Sequence, residues 1–373
     1  MLHNKQQRSR SGFRSFAVGL VLLLAVSVAL AACGKKTDDT KAPASGEGKV
    51  IAEYKDGTVT DKEFDRYLGF FSLVNEQAEM YLAVPSMKEQ FLREYIGYKV
   101  LYSRVDDKSK DASKEEVDKF VDQFKKTADS NAEMKAKMEK SGLTVDNAAW
   151  YYRMIVSVMD HSEQSVKEAD MKAIYDKTPS DFNNITVRHI LIGFKDPATG
   201  KDKLSKADAL KKAQEVKQKL EAGGDWTALA KQYSDDEGSK DKGGVYENQE
   251  PRVWVEAFKK AANTQEIGKI GDPVETEYGY HVMKVEKRET RTWEQVPQAT
   301  KDELRKSAST TKLNDFMANE LPGLITKVDL PKEEATGTDQ GTGTGTDAGT
   351  KTEGSDASKD AGTDSGAATD KKK

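Results

Sequence analysis

The chain has 373 residues, a formal net charge of −4, 33% charged and 36% hydrophobic residues, and one cysteine. A single cysteine excludes an internal disulfide and a thiolate metal cluster. A mildly acidic surface of mixed sign argues against a nucleic-acid partner, which would call for a basic patch.

Lys5, Arg8, Arg10 and Arg14 precede Phe16 to Ala32, 17 residues without a charge that run into Cys33. This is the pattern of a secretory signal peptide over residues 1–32. An uncleaved transmembrane helix is the competing reading, because 17 residues lies near the lower spanning limit. The end of the segment, Leu30-Ala31-Ala32-Cys33, resembles a bacterial lipobox, which implies cleavage before Cys33 and lipidation of that residue. A lipid there would tether the chain to a membrane surface. Residues 1–32 carry four positive charges and no acids, so their removal takes the net charge from −4 to −8. Residues 33–48 are small and polar, and read as a flexible linker.

Residues 49–183 read as mainly helical. Val50 to Tyr54 and Thr58-Val59 flank Asp56-Gly57, a hairpin signal. Thr60-Asp-Lys-Glu63 has the form of a capping box ahead of Phe64, Tyr67, Leu68, Phe71 and Val74 at helical spacing. A second helix carries Phe91, Tyr95, Tyr98, Leu101 and Tyr102, and Ser113 is expected to cap a third with Val117, Phe120, Val121 and Phe124. Further helices are expected around Trp150 to Met159 and Met171 to Tyr175. Aromatic stripes of this kind form a core or line an exposed client groove, and the sequence leaves both open.

Residues 184–290 change to mixed α/β character. Val187, His189 and Leu191 share one face of a strand, so an imidazole points the same way as two aliphatic side chains. Helices are expected over Ser205 to Leu220, after Asp225, and over about Trp254 to Ala262. A second apolar strand, from Tyr280 to Val285, carries His281. Residues 291–330 read as helical again, with Leu304, Leu313, Phe316 and Leu321 on one side and Pro322-Gly323 as an interruption. This segment can pack back on the first helical region. Residues 331–373 contain no large apolar residue and are expected to be a disordered low-complexity tail.

His189-Ile-Leu191, Tyr233-Ser-Asp235, Gly243-Gly244, Asp272-Pro-Val274 and Thr276-Glu-Tyr-Gly-Tyr-His281 resemble, in order and spacing, a parvulin-type peptidyl-prolyl isomerase domain. With the lipobox and the flanking helical segments, residues 1 to about 328 resemble the foldase lipoproteins of the PrsA type, whose helical-plus-parvulin plan is shared by SurA-like chaperones. The resemblance implies an α+β fold: a helical chaperone-like domain built from N- and C-terminal segments, with an inserted parvulin-type α/β domain of small antiparallel sheet and helices. It implies that His189 and His281 meet at the floor of an active site, that Asp236 takes the family's cysteine-or-aspartate position, and that Thr276 joins the network. Tyr278 falls where the family often has serine. Phe258 and Trp254 take the positions of the proline-pocket Phe and Met.

The family continues its paired glycines with further glycine and aromatic residues, whereas here the run is Gly244-Val-Tyr-Glu-Asn-Gln-Glu-Pro251. Two functions of the same build are therefore expected. One is a membrane-anchored foldase that isomerises X–Pro bonds of newly translocated secreted proteins on the extracytoplasmic face of a Gram-positive cell. The other is a holdase with an inactive isomerase site. A solute-binding lipoprotein is the reading from another class, and a two-lobed α/β repeat would be needed for it. No cofactor or metal is expected, the partners are unfolded secreted proteins and the lipid membrane, and a homodimer is permitted.

Overall fold

The computed structural model describes residues 47–75, 77–82 and 84–330. The signal segment, Cys33, nearly all of the expected linker and the 331–373 tail lie outside the described residues.

The chain opens with the expected hairpin, β1 (Val50–Tyr54) and β2 (Gly57–Thr60), and enters α1 (Asp61–Val74). The Thr60 hydroxyl accepts the Glu63 amide, which is half of a capping box. The other half is absent, because the Glu63 carboxylate turns inward to Tyr95 at 2.7 Å and Lys99 at 2.6 Å. Seven helices follow: α2 (Ala78–Leu82), α3 (Pro85–Arg104), α4 (Asp107–Ala112), α5 (Lys114–Ser130), α6 (Ala132–Ser141), α7 (Val145–Gln164) and α8 (Glu168–Lys177). Ser113 does not cap α5: its hydroxyl donates to the Lys110 carbonyl and bonds Ser157 on α7 at 2.8 Å, so it ties helices together instead.

The aromatic stripes are core. Tyr67 stacks on Tyr95 at 4.4 Å, and Tyr151 meets both rings edge-on. Tyr67, Phe91, Tyr95 and Tyr151 are all fully buried, which removes them from any exposed client groove.

The isomerase-like unit is built from β3 (Asn184–Gly193), α9 (Lys206–Glu221), α10 (Trp226–Tyr233), β4 (Val245–Gln249), α11 (Glu256–Thr264), β5 (Val274–Glu275) and β6 (Gly279–Glu289). Its antiparallel sheet has the order β4-β3-β6-β5. Period-two alternation sorts the residues of β3 and β6 onto two cores. Ile190, Ile192 and Val282 pack on Ala209, Ala213 and Val216 of α9. Ile185, Val187, Met283 and Val285 pack on Trp254, Phe258 and Ala262 on the opposite face.

After β6 come α12 (Gln298–Asp315), a π-helical turn over Phe316–Glu320, α13 (Leu321–Leu324) and a short strand, β7 (Ile325–Val328). The return to the first helical region is direct. Leu313, Phe316 and Leu321 enter the same core as the α1, α3 and α7 aromatics. Ser309 on α12 bonds Ser162 on α7 at 2.9 Å. The end of this segment is not helical as expected: the helix stops at Leu324, and β7 pairs antiparallel with β1, giving a second sheet of order β2-β1-β7. The parvulin-like unit is thus inserted among helical segments. Glu250, in the turn after β4, links it to the returning segment through Arg291 at 3.0 Å and Thr300 at 3.0 Å.

Candidate active site

The register of β3 on β6 places Leu191 opposite His281 and His189 opposite Met283. His189 and His281 are therefore diagonal neighbours on one face of the sheet, the relationship that brings long side chains into reach. Their rings stack 5.3 Å apart, and their Nδ1 atoms lie at 3.1 Å. Both residues are fully buried.

Four side chains complete the line. Asp236 follows α10, in a loop held to β3 by the Asp235 amide on the Leu191 carbonyl at 2.9 Å. Its Oδ2 lies 2.9 Å from His189 Nε2. The same oxygen accepts the Tyr246 hydroxyl at 2.9 Å and the Ser239 hydroxyl. At the other end, Thr276 Oγ1 lies 2.9 Å from His281 Nε2 and accepts the Tyr278 amide at 3.2 Å.

These contacts fix the protons. A carboxylate only accepts, so His189 Nε2 carries a hydrogen. With both rings neutral, His189 accepts at Nδ1, so His281 donates from its own Nδ1 and accepts at Nε2 from Thr276. Every donor in the line, from the Tyr278 amide through Thr276, His281 and His189, points toward Asp236. Hydrogen bonds aligned in one sense strengthen one another.

The electrostatics agree. Burial lowers the His281 pKa well below the ordinary value; proximity of His189 adds to this, while Asp236 opposes it. Burial pushes the Asp236 carboxyl up, but the bond to His189, the charge that ring carries when protonated, and the Ser239 and Tyr246 hydroxyls outweigh that and hold it well below the usual carboxylate range. Burial and the Asp236 carboxylate push the Tyr246 phenol up, which keeps it a donor.

Beneath the histidines, Phe258 meets both rings edge-on at 5.2 and 5.1 Å, and Trp254 meets Phe258 at 5.1 Å. Expected as walls of a proline pocket, Phe258 and Trp254 are instead closed off, at 0% and 4% exposure. Phe258 braces the imidazoles, and Trp254 braces Phe258. Open space is found beside Asp236: a cavity of about 230 Å³ lined by Leu191, Gly193, Pro197, Asp235, Asp236 and Tyr278, among others. Of the expected residues, His189, His281, Asp236 and Thr276 are brought into one network, and Tyr278 joins it through its backbone and lines the cavity with its side chain.

Gly244 shows why paired glycines stand before β4. Its φ is +74°, and a Cβ there would lie 1.9 Å from the His189 carbonyl oxygen. The close approach lets the Gly244 carbonyl accept the His189 amide at 2.9 Å. Two site residues were not anticipated, Ser239 and Tyr246. Tyr246 had a signal: once β4 is paired, Tyr246 stands opposite Val187 and so shares the face that carries His189.

Residues 170–289 match the model of the PPIC-type PPIASE domain. "Foldase protein PrsA 4" of Bacillus cereus is 27% identical over 296 residues, which cover 79% of this chain and 85% of that protein. "Foldase protein PrsA 3" of the same organism is 42% identical over 106 residues, covering 28% of this chain and 36% of the relative. The crystal structure of peptidylprolyl isomerase PrsA from Bacillus anthracis aligns over 62% of this chain and 94% of that one, at 26% identity and a TM-score of 0.34. A PPIC-type PPIASE domain over residues 170–289, set among helical segments, and similarity to a PrsA foldase over 79% of the chain make the protein PrsA-like, with a peptidyl-prolyl cis–trans isomerase domain of the parvulin type.

Proposed function

We propose that the cavity beside Asp236 takes the X–Pro bond, and that the protein does this work for secreted polypeptides while held by a lipid on Cys33 at the extracytoplasmic face of the membrane. The observation that carries the site assignment is the buried line from Thr276 to Asp236, which ends in an ionised carboxylate at a cavity wall.

The chemistry needed is rotation about a C–N bond with a barrier of about 18–20 kcal/mol, set by partial double-bond character. That character places negative charge on the carbonyl oxygen of the planar amide, and twisting withdraws it. A fixed carboxylate near that oxygen disfavours the planar form relative to the twisted one, so it binds the transition state in preference to the ground state. Asp236 supplies the charge. His189, Ser239 and Tyr246 hold it ionised and oriented. His281 and Thr276 hold His189 in one tautomer, and Phe258 and Trp254 hold both rings in place. Tyr278 and Leu191 give the proline ring an apolar surface. No nucleophile is required.

The test is isomerase activity of residues 34–373 on a short X–Pro peptide, beside Asp236→Ala and His281→Ala with folding checked by circular dichroism. Activity that falls at least tenfold in a folded Asp236→Ala supports the assignment, and unchanged activity removes it. Export of the full chain with labelled fatty acid, beside Cys33→Ala, tests the anchor. Suppression of aggregation of an unfolded client by the Asp236→Ala protein tests whether the helical body acts as a chaperone by itself.

A further inference from the structure

The charge around the cavity is uneven. Its lining includes the carboxylates of Asp196, Asp235, Asp236 and Glu277 and the ammonium of Lys195. Asp235 is paired with Lys203 at 2.6 Å, so the four acids against these two lysines leave an excess of two negative charges. Asp196 is fixed as an acceptor: its Oδ1 takes the Thr199 hydroxyl at 2.8 Å, the Thr199 amide at 2.8 Å and the Ala198 amide at 3.1 Å. Glu277 stands exposed in the turn between β5 and β6, one residue from Tyr278, and lines the same cavity. A peptide whose proline sits by Tyr278 and Asp236 therefore meets a rim with an excess of negative charge.

We propose that this rim makes the site selective for X–Pro segments with a lysine or arginine next to the proline, with Glu277 and Asp196 as the residues that set the preference. The proposal rests on the cavity being the substrate site. The attraction acts between partly solvated charges, so it is modest and screened by salt. A cation near two or three such carboxylates gains roughly 3- to 10-fold in affinity at low ionic strength. An acidic residue at the same place loses a similar factor, and the buried Asp236 charge adds to its penalty.

The experiment uses residues 34–373 and three otherwise identical peptides with Lys-Pro, Met-Pro or Glu-Pro. Binding is read by fluorescence anisotropy of labelled peptides, and isomerisation by NMR exchange, in low salt and in about 1 M salt, where the Debye length shrinks to about 3 Å. The expected result is Lys over Met over Glu in both readouts, a preference that collapses in high salt and is weakened or inverted by Glu277→Lys. Equal binding and equal kcat/KM for the three peptides would overturn the selectivity while leaving the isomerase site intact. Selective binding without isomerisation of any peptide would keep the charge preference and remove the catalytic reading of the cavity. Absence of both binding and isomerisation would overturn both.

Discussion

His189 and His281 share one proton between nitrogens 3.1 Å apart. Their neutral, same-sense arrangement is the state that delivers an N–H to Asp236. Because burial, with His189 beside it, lowers the His281 pKa, the folded protein resists protonation there while the unfolded chain takes up a proton below the ordinary value of 6.5. The unfolded state then binds more protons, so stability is present above about pH 6.5 and is lost as pH falls below it. Chemical denaturation from pH 8 to pH 5 checks this: His281→Asn should flatten the acid-side loss, and an unchanged slope would refute the assignment.

Asp236 gives the opposite expectation for activity. Its carboxyl is held well below the usual range, so the carboxylate persists throughout the mildly acidic region. Neither loss of the Asp236 charge nor protonation of buried His281 should therefore lower isomerase activity between pH 7 and pH 5. A pH–rate profile of the wild type checks this, and Tyr246→Phe beside it isolates the contribution of the phenol. Removing the phenol deletes one charge-assisted bond to Asp236, of about 1.5–3 kcal/mol. Activity should fall by roughly 3- to 10-fold, with the ring's packing retained. A profile and rate identical to the wild type would show that Tyr246 does not position the carboxylate.

Glu94, in α3, is the buried acid that the site does not use. Its pKa is pushed up to about 8 by burial, and Oε1 has no hydrogen-bond partner. Tyr67 and Tyr98 are the titratable groups beside it. The folded state keeps the Glu94 proton to about pH 8, whereas the unfolded chain releases it near 4.5. Stability should fall as pH rises through that window, by a few kcal/mol at most. Glu94→Gln should be more stable than the wild type at pH 8 and about equal at pH 4. Equal stabilities at both pH values would contradict the buried-acid reading.

Gly244→Ala should be far more damaging than Gly223→Ala. Both have positive φ, but only Gly244 has backbone where the new methyl would stand, 1.9 Å from the His189 carbonyl oxygen. Gly223 has nothing within 4 Å. A thermal or urea melt should show a loss of about 1 kcal/mol for Gly223→Ala, from φ alone, and about 3 kcal/mol or more for Gly244→Ala. Equal losses would mean that the approach of β4 to β3 is not rigid.

The parts of this molecule that were legible in the sequence are those that follow a period. Alternation along Val187 to Leu191 placed His189 on the face it occupies, and helical spacing found Phe64, Tyr67 and Phe71. The motif residues Asp236, Thr276 and His281 do meet. What was not legible depends on partners distant in sequence. The Ser239 and Tyr246 hydroxyls have no pattern that announces a bond to Asp236 until the loop closes. Phe258 and Trp254 occupy pocket positions in sequence, yet Phe258 packs edge-on to both imidazoles and Trp254 packs on Phe258. β7 has four residues and follows a Pro-Gly interruption, so only its pairing with β1 reveals it as a strand.

That pairing also orders events in time. The Thr326 hydroxyl bonds the Glu53 carbonyl across 273 positions of chain. A polypeptide made from its N-terminus displays β1 early, with one edge open and with vacant seats in its core for Leu313, Phe316 and Leu321. The β4-β3-β6-β5 sheet needs nothing beyond Glu289 and can close first. The helical body is thus the last part to mature, and until residue 328 arrives it exposes an unsatisfied strand edge of the kind that captures other chains. A chain built in this way has to be kept, during its own synthesis, from pairing that open edge with a neighbour.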